Sequence, residues 1–325
     1  MALESADDLS WRPLLVSDAE HVAELLNADA AADDGEENYS AEDAAEELAD
    51  PNIDLERGSV AAFDGDLLVG YLTVMVRPLA TAEHRVWADG TVRPTHRGRG
   101  VGGRLLREGI ELARAAHERV HPNLKLIIDV ERPDHVEDAR ALYTSLGFQP
   151  VRYFQLMRHP LGAATTDVPS PAGMTLESWS PDNDAEFHLI RNESFRDHWG
   201  STPVTAEAWQ ARYTNRSMRP DLSFLLRDAD SAAPAAMVLT FCWDADTEAT
   251  GVRDAHLMVI GTMRDYRRRG LAGALIGRAL RAAEEQGYDR ASLSVDSANP
   301  NGAFGLYEKA GFVPHKRRTR WALEA

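Results

Sequence analysis

Two stretches far apart in the chain carry the same pattern, Arg-x-x-Gly-x-(Gly/Ala), and this duplication restricts the possible folds more than any other feature. The first reads Arg97-Gly98-Arg99-Gly100-Val101-Gly102-Gly103, the second Arg267-Arg268-Arg269-Gly270-Leu271-Ala272-Gly273. Each follows a strand-like run, Val86 to Val92 or His256 to Met263, and each opens a long helical pattern ending near His117 or Gln286. Small residues at a helix start suit a pyrophosphate. The unpaired amides of the first turn point at the anion, the helix dipole favours negative charge, and missing side chains let phosphates approach the backbone. Neighbouring arginines add charge-assisted hydrogen bonds.

The repetition runs on in both directions. Downstream of each helix come a second strand (Leu124 to Val130, Ala291 to Val295) and a short aromatic helix closing on Gly-Phe. Those endings are Ala141-Leu142-Tyr143-Thr144-Ser145-Leu146-Gly147-Phe148 and Gly305-Leu306-Tyr307-Glu308-Lys309-Ala310-Gly311-Phe312. Upstream, the first copy shows a strand (Leu9 to Leu14), a helix capped by Ser17, a second helix capped by Ser40, and a hairpin turning at Asp64-Gly65-Asp66. Val151 to Arg158 alternates as a last strand. The second copy restarts with Met174 to Trp179, Asp182 to Arg196, a helix capped by Thr205, and a hairpin of Leu222 to Arg227 with Ala235 to Trp243. A displacement of roughly 165 to 170 residues is too long for a solenoid, so each copy buries its own core. Apolar residues at helical spacing (Val101, Leu105, Ile110, Ala113; Leu271, Leu275, Leu280, Ala283) mark the two long helices as packed on a sheet. The expected class is mixed α/β, with domains at residues 1–160 and 173–325. The linker at 161–172 contains Gly162, Pro169 and Pro171, which interrupt any periodicity.

In this order of elements the chain resembles the GNAT family of N-acetyltransferases over nearly its whole length, twice. It resembles in particular the family's two-domain, mycothiol-synthase-like members. The resemblance implies, in each domain, a central, mostly antiparallel twisted sheet flanked by helices, with acetyl-CoA as co-substrate on the Arg-x-x-Gly loop. It places Gly90, Thr91 and Val92, or Ile260, Gly261 and Thr262, beside the pantetheine arm, where the strand splays from its neighbour. It makes Tyr143 and Tyr307 the groups that meet the leaving thiolate, and Asn299 a contact to CoA where the first copy has Asp134 or His135. The position at which such tandem members carry a glutamate base falls at His256, with Asp254 nearby. In the first copy it falls at Val86, which cannot take a proton, and nothing aligns the neighbouring Glu83 and His84. His198 and Trp199, at the end of the first helix of the second copy, occupy the expected acceptor wall; Trp199 as a packing residue is the alternative. The second domain is accordingly expected to catalyse direct transfer of an acetyl group to a primary amine of a small molecule. A non-catalytic acyl-CoA sensor or scaffold and a peptide N-acetyltransferase stay open.

Composition removes other classes. The only cysteine, Cys242, lies in the apolar run Val238 to Trp243, so neither a disulfide, a cysteine-based metal site nor a thiol nucleophile is expected, and no metal is called for. A net charge of -17 disfavours nucleic acid and anionic membranes as partners. No apolar run approaches the ~20 residues of a membrane span, and Met1-Ala2-Leu3-Glu4-Ser5 lacks the basic and apolar regions of a signal peptide, so the cytoplasm is expected. The first fifty residues are crowded with carboxylates around Asp33-Asp34-Gly35-Glu36-Glu37: a solvated face, or a rim attractive to cationic amines. Gly98-Arg99-Gly100-Val101-Gly102-Gly103 also fits the dinucleotide pattern Gly-x-Gly-x-x-Gly. However, Pro94-Thr95-His96-Arg97 separates it from its strand and the second copy breaks it, so nicotinamide and flavin chemistry is set aside.

Overall fold

The computed structural model describes residues 8–162, 171–298 and 302–325. The first copy comprises β1 (Ser10–Arg12), α1 (Ala19–Ala32), α2 (Ala41–Leu48), α3 (Leu55–Gly58), β2 (Ser59–Asp64), β3 (Leu67–Met75), β4 (Glu83–Val92), α4 (Val101–Val120), β5 (Lys125–Pro133), α5 (Glu137–Ser145) and β6 (Gln149–Pro160). The second comprises β7 (Met174–Ser178), α6 (Asp184–Ser194), α7 (Ala206–Tyr213), β8 (Phe224–Asp228), β9 (Pro234–Phe241), α8 (Asp244–Thr250), β10 (Asp254–Thr262), α9 (Leu271–Glu285), β11 (Arg290–Asp296), α10 (Ala303–Lys309) and β12 (Val313–Glu324). The expected mixed α/β class is what the chain adopts, each copy forming a mostly antiparallel sheet with one parallel pair.

Local chemistry accounts for several elements. Ser40 accepts from the Asp43 amide at 3.1 Å while Asp43 reaches back to the Ser40 amide at 2.9 Å, a reciprocal cap worth about 1 kcal/mol. Thr205 accepts from the Ala208 amide in the same way. Ser17 does not cap: it lies inside a single 3-10 turn, Val16–Asp18, and α1 starts after Asp18, whose carboxylate is held by Arg12 at 2.7 Å. The short polar helix α8 and the final strand β12 are not among the elements read from the sequence.

Each sheet is buried on both faces, and the period of two along a strand decides which side chain goes where. In β2, Val60 and Ala62 join the core under α4, whereas Ala61 and Phe63 join a second core with Val22 and Leu25 of α1. In β9, Ala236 and Val238 meet the helix α9 residues Leu275 and Leu280, whereas Met237 and Leu239 meet Phe187, Ile190 and Trp209. Val101, Leu105, Ile110 and Ala113, like Leu271, Leu275, Leu280 and Ala283, are buried as their spacing requires.

The compact units do not follow contiguous boundaries. The first comprises Met1–Arg152 together with Arg318–Ala325, and the second Tyr153–Arg317. In the first, β5 pairs antiparallel with β12 from Pro133↔Arg318 to Ile127↔Glu324. In the second, β11 pairs antiparallel with β6 from Arg290↔Pro160 to Asp296↔Phe154. Each sheet is thus closed by the strand that the other copy supplies in sequence, so 153–160 leaves the expected domain 1–160 and 318–325 leaves 173–325. The packing explains the exchange: Trp321 joins the core of the first unit and Met157 that of the second. Of the expected linker, residues 163–170 lie outside the described residues.

Candidate active sites

Both glycine-rich loops turn into their helices through a left-handed residue. Gly100 caps α4 at φ 86° and Gly270 caps α9 at φ 77°. A Cβ at Gly270 would meet nothing within 4 Å, so there the backbone angle, not space, calls for glycine. Two residues earlier the first copy has Gly98 at φ 74°, and the second holds Arg268 at φ 62°. Arg97 and Arg267 do not reach outward. Arg97 pairs with Asp33 at 2.7 Å and Asp29 at 2.5 Å, and its Nε donates to the Val92 carbonyl. Arg267 donates to the Thr262 and Ser194 carbonyls. Both brace the loop on the preceding strand and leave Arg99, or the exposed Arg268 and Arg269, nearer solvent.

Beside each loop a parallel pair parts. The β4–β5 ladder ends at Trp87↔Asp129, while β4 stays paired with β3 as far as Val92↔Gly70. The β10–β11 ladder ends at His256↔Ser292, while β10 continues on β9 to Thr262↔Ala236. Gly90, Thr91 and Val92, and Ile260, Gly261 and Thr262, therefore lie beyond the parting, where backbone N–H groups can serve a ligand lying along the strand. Gly90 is needed for closeness, since a Cβ there would stand 2.1 Å from the Tyr71 carbonyl oxygen. Gly261 answers to α6, its Cβ position being 2.6 Å from Ser194 Oγ. The register shift of β10 falls earlier, between Leu257 and Val259.

In the second unit, His256 stands on the last paired rung. It is half-buried, with Nδ1 2.9 Å from Ser292 Oγ and its ring 5.5 Å from Trp243. Asp254, its neighbour on the strand, accepts from Arg290 at 2.6 Å. Tyr307, on α10, packs partly buried on the core near Phe312, and burial pushes its hydroxyl up to about 12. His198 and Trp199 follow α6, half-buried, with His198 Nδ1 3.2 Å from the Trp199 carbonyl. Asn299 lies outside the described residues.

In the first unit the loop, the parting and α5 enclose a cavity of about 460 Å³. Gly98, Gly100, Gly102, Gly103, Tyr143, Tyr71, Asp89 and Arg132 are among the residues that line it. The sequence reading did not single out Asp89, Arg132 or Tyr71. Asp89 had a signal: it is the acidic residue beside Gly90 in the strand. Arg132 donates across the parting to the Gly90 carbonyl and lies 3.9 Å from Asp89. Crowding by protein atoms raises Asp89 above the usual carboxylate range although solvent still reaches its side chain, with Arg132 and then Arg318 opposing, and burial raises Tyr143, again opposed by Arg132. Glu47, on α2, is pushed up to about 8. Crowding by protein atoms contributes first and the carboxylates of Asp89, Glu37, Asp43 and Asp50 next, although solvent still reaches the residue. The other candidates here have partners within the fold. Val86 is core, Glu83 pairs with Arg85, and His84 is fully buried with Nδ1 3.0 Å from His117 Nδ1. Asp134 accepts from Thr319, and His135 reaches the Asp33 carbonyl. Among the described residues no cluster of histidine, cysteine and carboxylate groups could hold a metal ion, and no helix is long and apolar enough to cross a membrane.

Duplicated sheets whose central parallel strands part beside a glycine-capped helix start define a class, the tandem GNAT fold. Comparison with known proteins agrees. The model of the acetyltransferase (GNAT) family matches residues 185–312, and that of the acetyltransferase (GNAT) domain matches 56–150. A mycothiol acetyltransferase of Nocardia farcinica is 30% identical over 308 residues, covering 91% of each chain. The fold matches a GCN5-related N-acetyltransferase from Sphaerobacter thermophilus (TM-score 0.74, 24% identity, 99% of this chain and 97% of that one). It also matches a tandem GNAT protein from the clavulanic acid biosynthesis pathway (TM-score 0.70, 18% identity, 97% and 98%). The chain belongs to the GNAT acetyltransferase family, in its two-domain, mycothiol-synthase-like form, and is an N-acetyltransferase.

Proposed function

We propose that the chain moves an acetyl group from acetyl-CoA directly to the primary amine of a small molecule, and that the second unit performs this transfer. The observation that carries the reading is the parting of β10 from β11 immediately after His256, next to a helix start preceded by three arginines. There, amides at the start of α9 would take the pyrophosphate, with Arg268 and Arg269 adding charge. Backbone N–H groups of Ile260 to Thr262 would hold the pantetheine arm and polarise the thioester carbonyl. The relative named mycothiol acetyltransferase supports acetyl as the transferred group.

His256 serves as base. It stands on the last paired rung beside the parting, half-buried with Nδ1 2.9 Å from Ser292 Oγ, and an imidazole can take the proton of a substrate ammonium. Tyr307 meets the leaving sulfur. Full transfer from a hydroxyl near 12 to a thiolate whose conjugate acid lies near 8.5 is uphill by about 5 kcal/mol, so its main contribution is a hydrogen bond to the developing charge. No covalent enzyme intermediate is involved, and His198 and Trp199 form a wall for the acceptor. Calorimetric titration of acetyl-CoA into wild type, Gly100→Glu and Gly270→Glu, with thiol release measured on a panel of polyamines, amino sugars and peptides, tests the reading. Gly270→Glu is expected to lose one bound acetyl-CoA and at least about tenfold in transfer to the acceptor used fastest by wild type. A folded wild type that binds no acetyl-CoA overturns the function, and transfer lost only in Gly100→Glu overturns the choice of unit.

A further inference from the structure

We propose that the first unit is a second transfer centre, in which Asp89 is the base and Tyr143 meets the leaving sulfur, and that its acceptor is an aliphatic amine carrying more than one positive charge. This rests on the reading of acetyl-CoA as donor, and extends it to a unit whose base position by sequence is the inert Val86.

Three observations support it. First, the cavity brings together the glycine-rich helix start, the strand beyond its parting and α5, so one space of about 460 Å³ touches every part that a donor must reach. Second, Asp89 and Tyr143 both line that space together with Arg132, which lies 3.9 Å from Asp89 and whose charge acts on Tyr143. Tyr143 is 8% exposed and Tyr71 4%, so their rings are locked in the core while the cavity borders them. Asp89, by contrast, keeps 47% of its side chain accessible beside the 18% of Arg132, as a group that exchanges protons with an acceptor requires. Third, the charge is lopsided. Arg97 pairs with both Asp29 and Asp33, which leaves one negative charge over, and Arg318 with Glu37, while Asp138 also lines the cavity and Asp89, Glu37, Asp43 and Asp50 all stand near enough to raise Glu47. An acceptor with a second cationic nitrogen gains from that field, whereas a neutral amino sugar does not. The raised pKa of Asp89 narrows the gap to an ammonium that it must deprotonate.

The step balances as follows. Asp89 removes one proton from the ammonium, and the nitrogen forms a bond to the thioester carbon. The C–S bond breaks with its electron pair on sulfur, and the proton shed by the nitrogen ends on sulfur by way of the Tyr143 hydroxyl. Asp89 returns its proton to solvent. An ammonium and acetyl-CoA thus give an amide, CoA thiol and one proton.

The test uses the full chain with the second unit silenced by Gly270→Glu and Tyr307→Phe, and spermidine as probe. Expected are one bound acetyl-CoA and spermidine-dependent thiol release. Adding Asp89→Asn lowers that release about 100-fold without loss of acetyl-CoA binding, and adding Tyr143→Phe also lowers it. Should Asp89→Asn fail to fold, Tyr143→Phe carries the comparison. Acetyl-CoA bound without thiol release on adding spermidine, or a rate indifferent to whichever of the two added variants folds, overturns the second centre. So does a silenced chain that binds no acetyl-CoA while wild type binds one. Wild type that binds none fails the donor reading itself.

Discussion

Tyr307 shows how much one side chain is asked to do. A phenol held near 12 stays protonated throughout the neutral range, which is what the proposed hydrogen bond to the departing sulfur requires. Tyr307→Phe is therefore expected to cut kcat about 100-fold with the calorimetric affinity for acetyl-CoA intact, a split that simple loss of packing would not produce. His84 makes the opposite use of burial. Removed from water and set against His121 and His117, it is lowered from 6.5 to about 4. The fold therefore binds fewer protons than the unfolded chain between those values, so stability is full above about 6.5 and is lost as pH falls toward 4. The loss reaches about 3 kcal/mol, and thermal melts of wild type between pH 7 and 4.5 should show it, while His84→Leu should flatten the slope. These two residues were unequally legible. Tyr307 announced itself through its Gly-Phe ending. His84 looked like a stray neighbour of the base position, because its partner His117 is 33 residues away. Asp89 is less legible for a related reason: the correspondence between the two copies points to Val86, and the acidic residue beside Gly90 stands out only once the folded chain places it on the cavity.

Among the elements, those specified by near neighbours were legible. Ser40 and Thr205 cap their helices, Gly65 turns its hairpin at φ 60°, and the apolar spacing of α4 and α9 names their buried faces. The parting of β4 from β5 was expected only by resemblance, because no local signal states where a ladder stops. Its geometry makes Gly90 demanding. An added methyl would sit 2.1 Å from backbone oxygen in β3, which a side-chain shift cannot relieve, so β3 and β4 must move apart. Gly90→Ala should lower stability in urea by about 3 kcal/mol or more and abolish the first unit's acetyl-CoA site, leaving the second unit's titration unchanged.

At the scale of the whole molecule, the exchange of closing strands was illegible. β6 and β12 follow matching Gly-Phe endings in the two copies, and nothing local says which sheet either will join. The consequence is measurable. Deleting 318–325 removes Trp321 from the first core and strips β5 of the partner that it pairs with from Pro133 to Ile127. Such a chain should keep acetyl-CoA binding that depends on Gly270 and lose binding that depends on Gly100, with earlier proteolysis confined to the first unit. Synthesis order gives the same feature another meaning. The unit whose body leaves the ribosome first is the one completed last, since it waits for residues made after the whole of its companion. Until then β5 presents an unpaired, aliphatic edge containing Ile127, Ile128 and Val130, the kind of edge that pairs with strangers. Slow translation of the second half thus prolongs the nascent chain's exposure to aggregation.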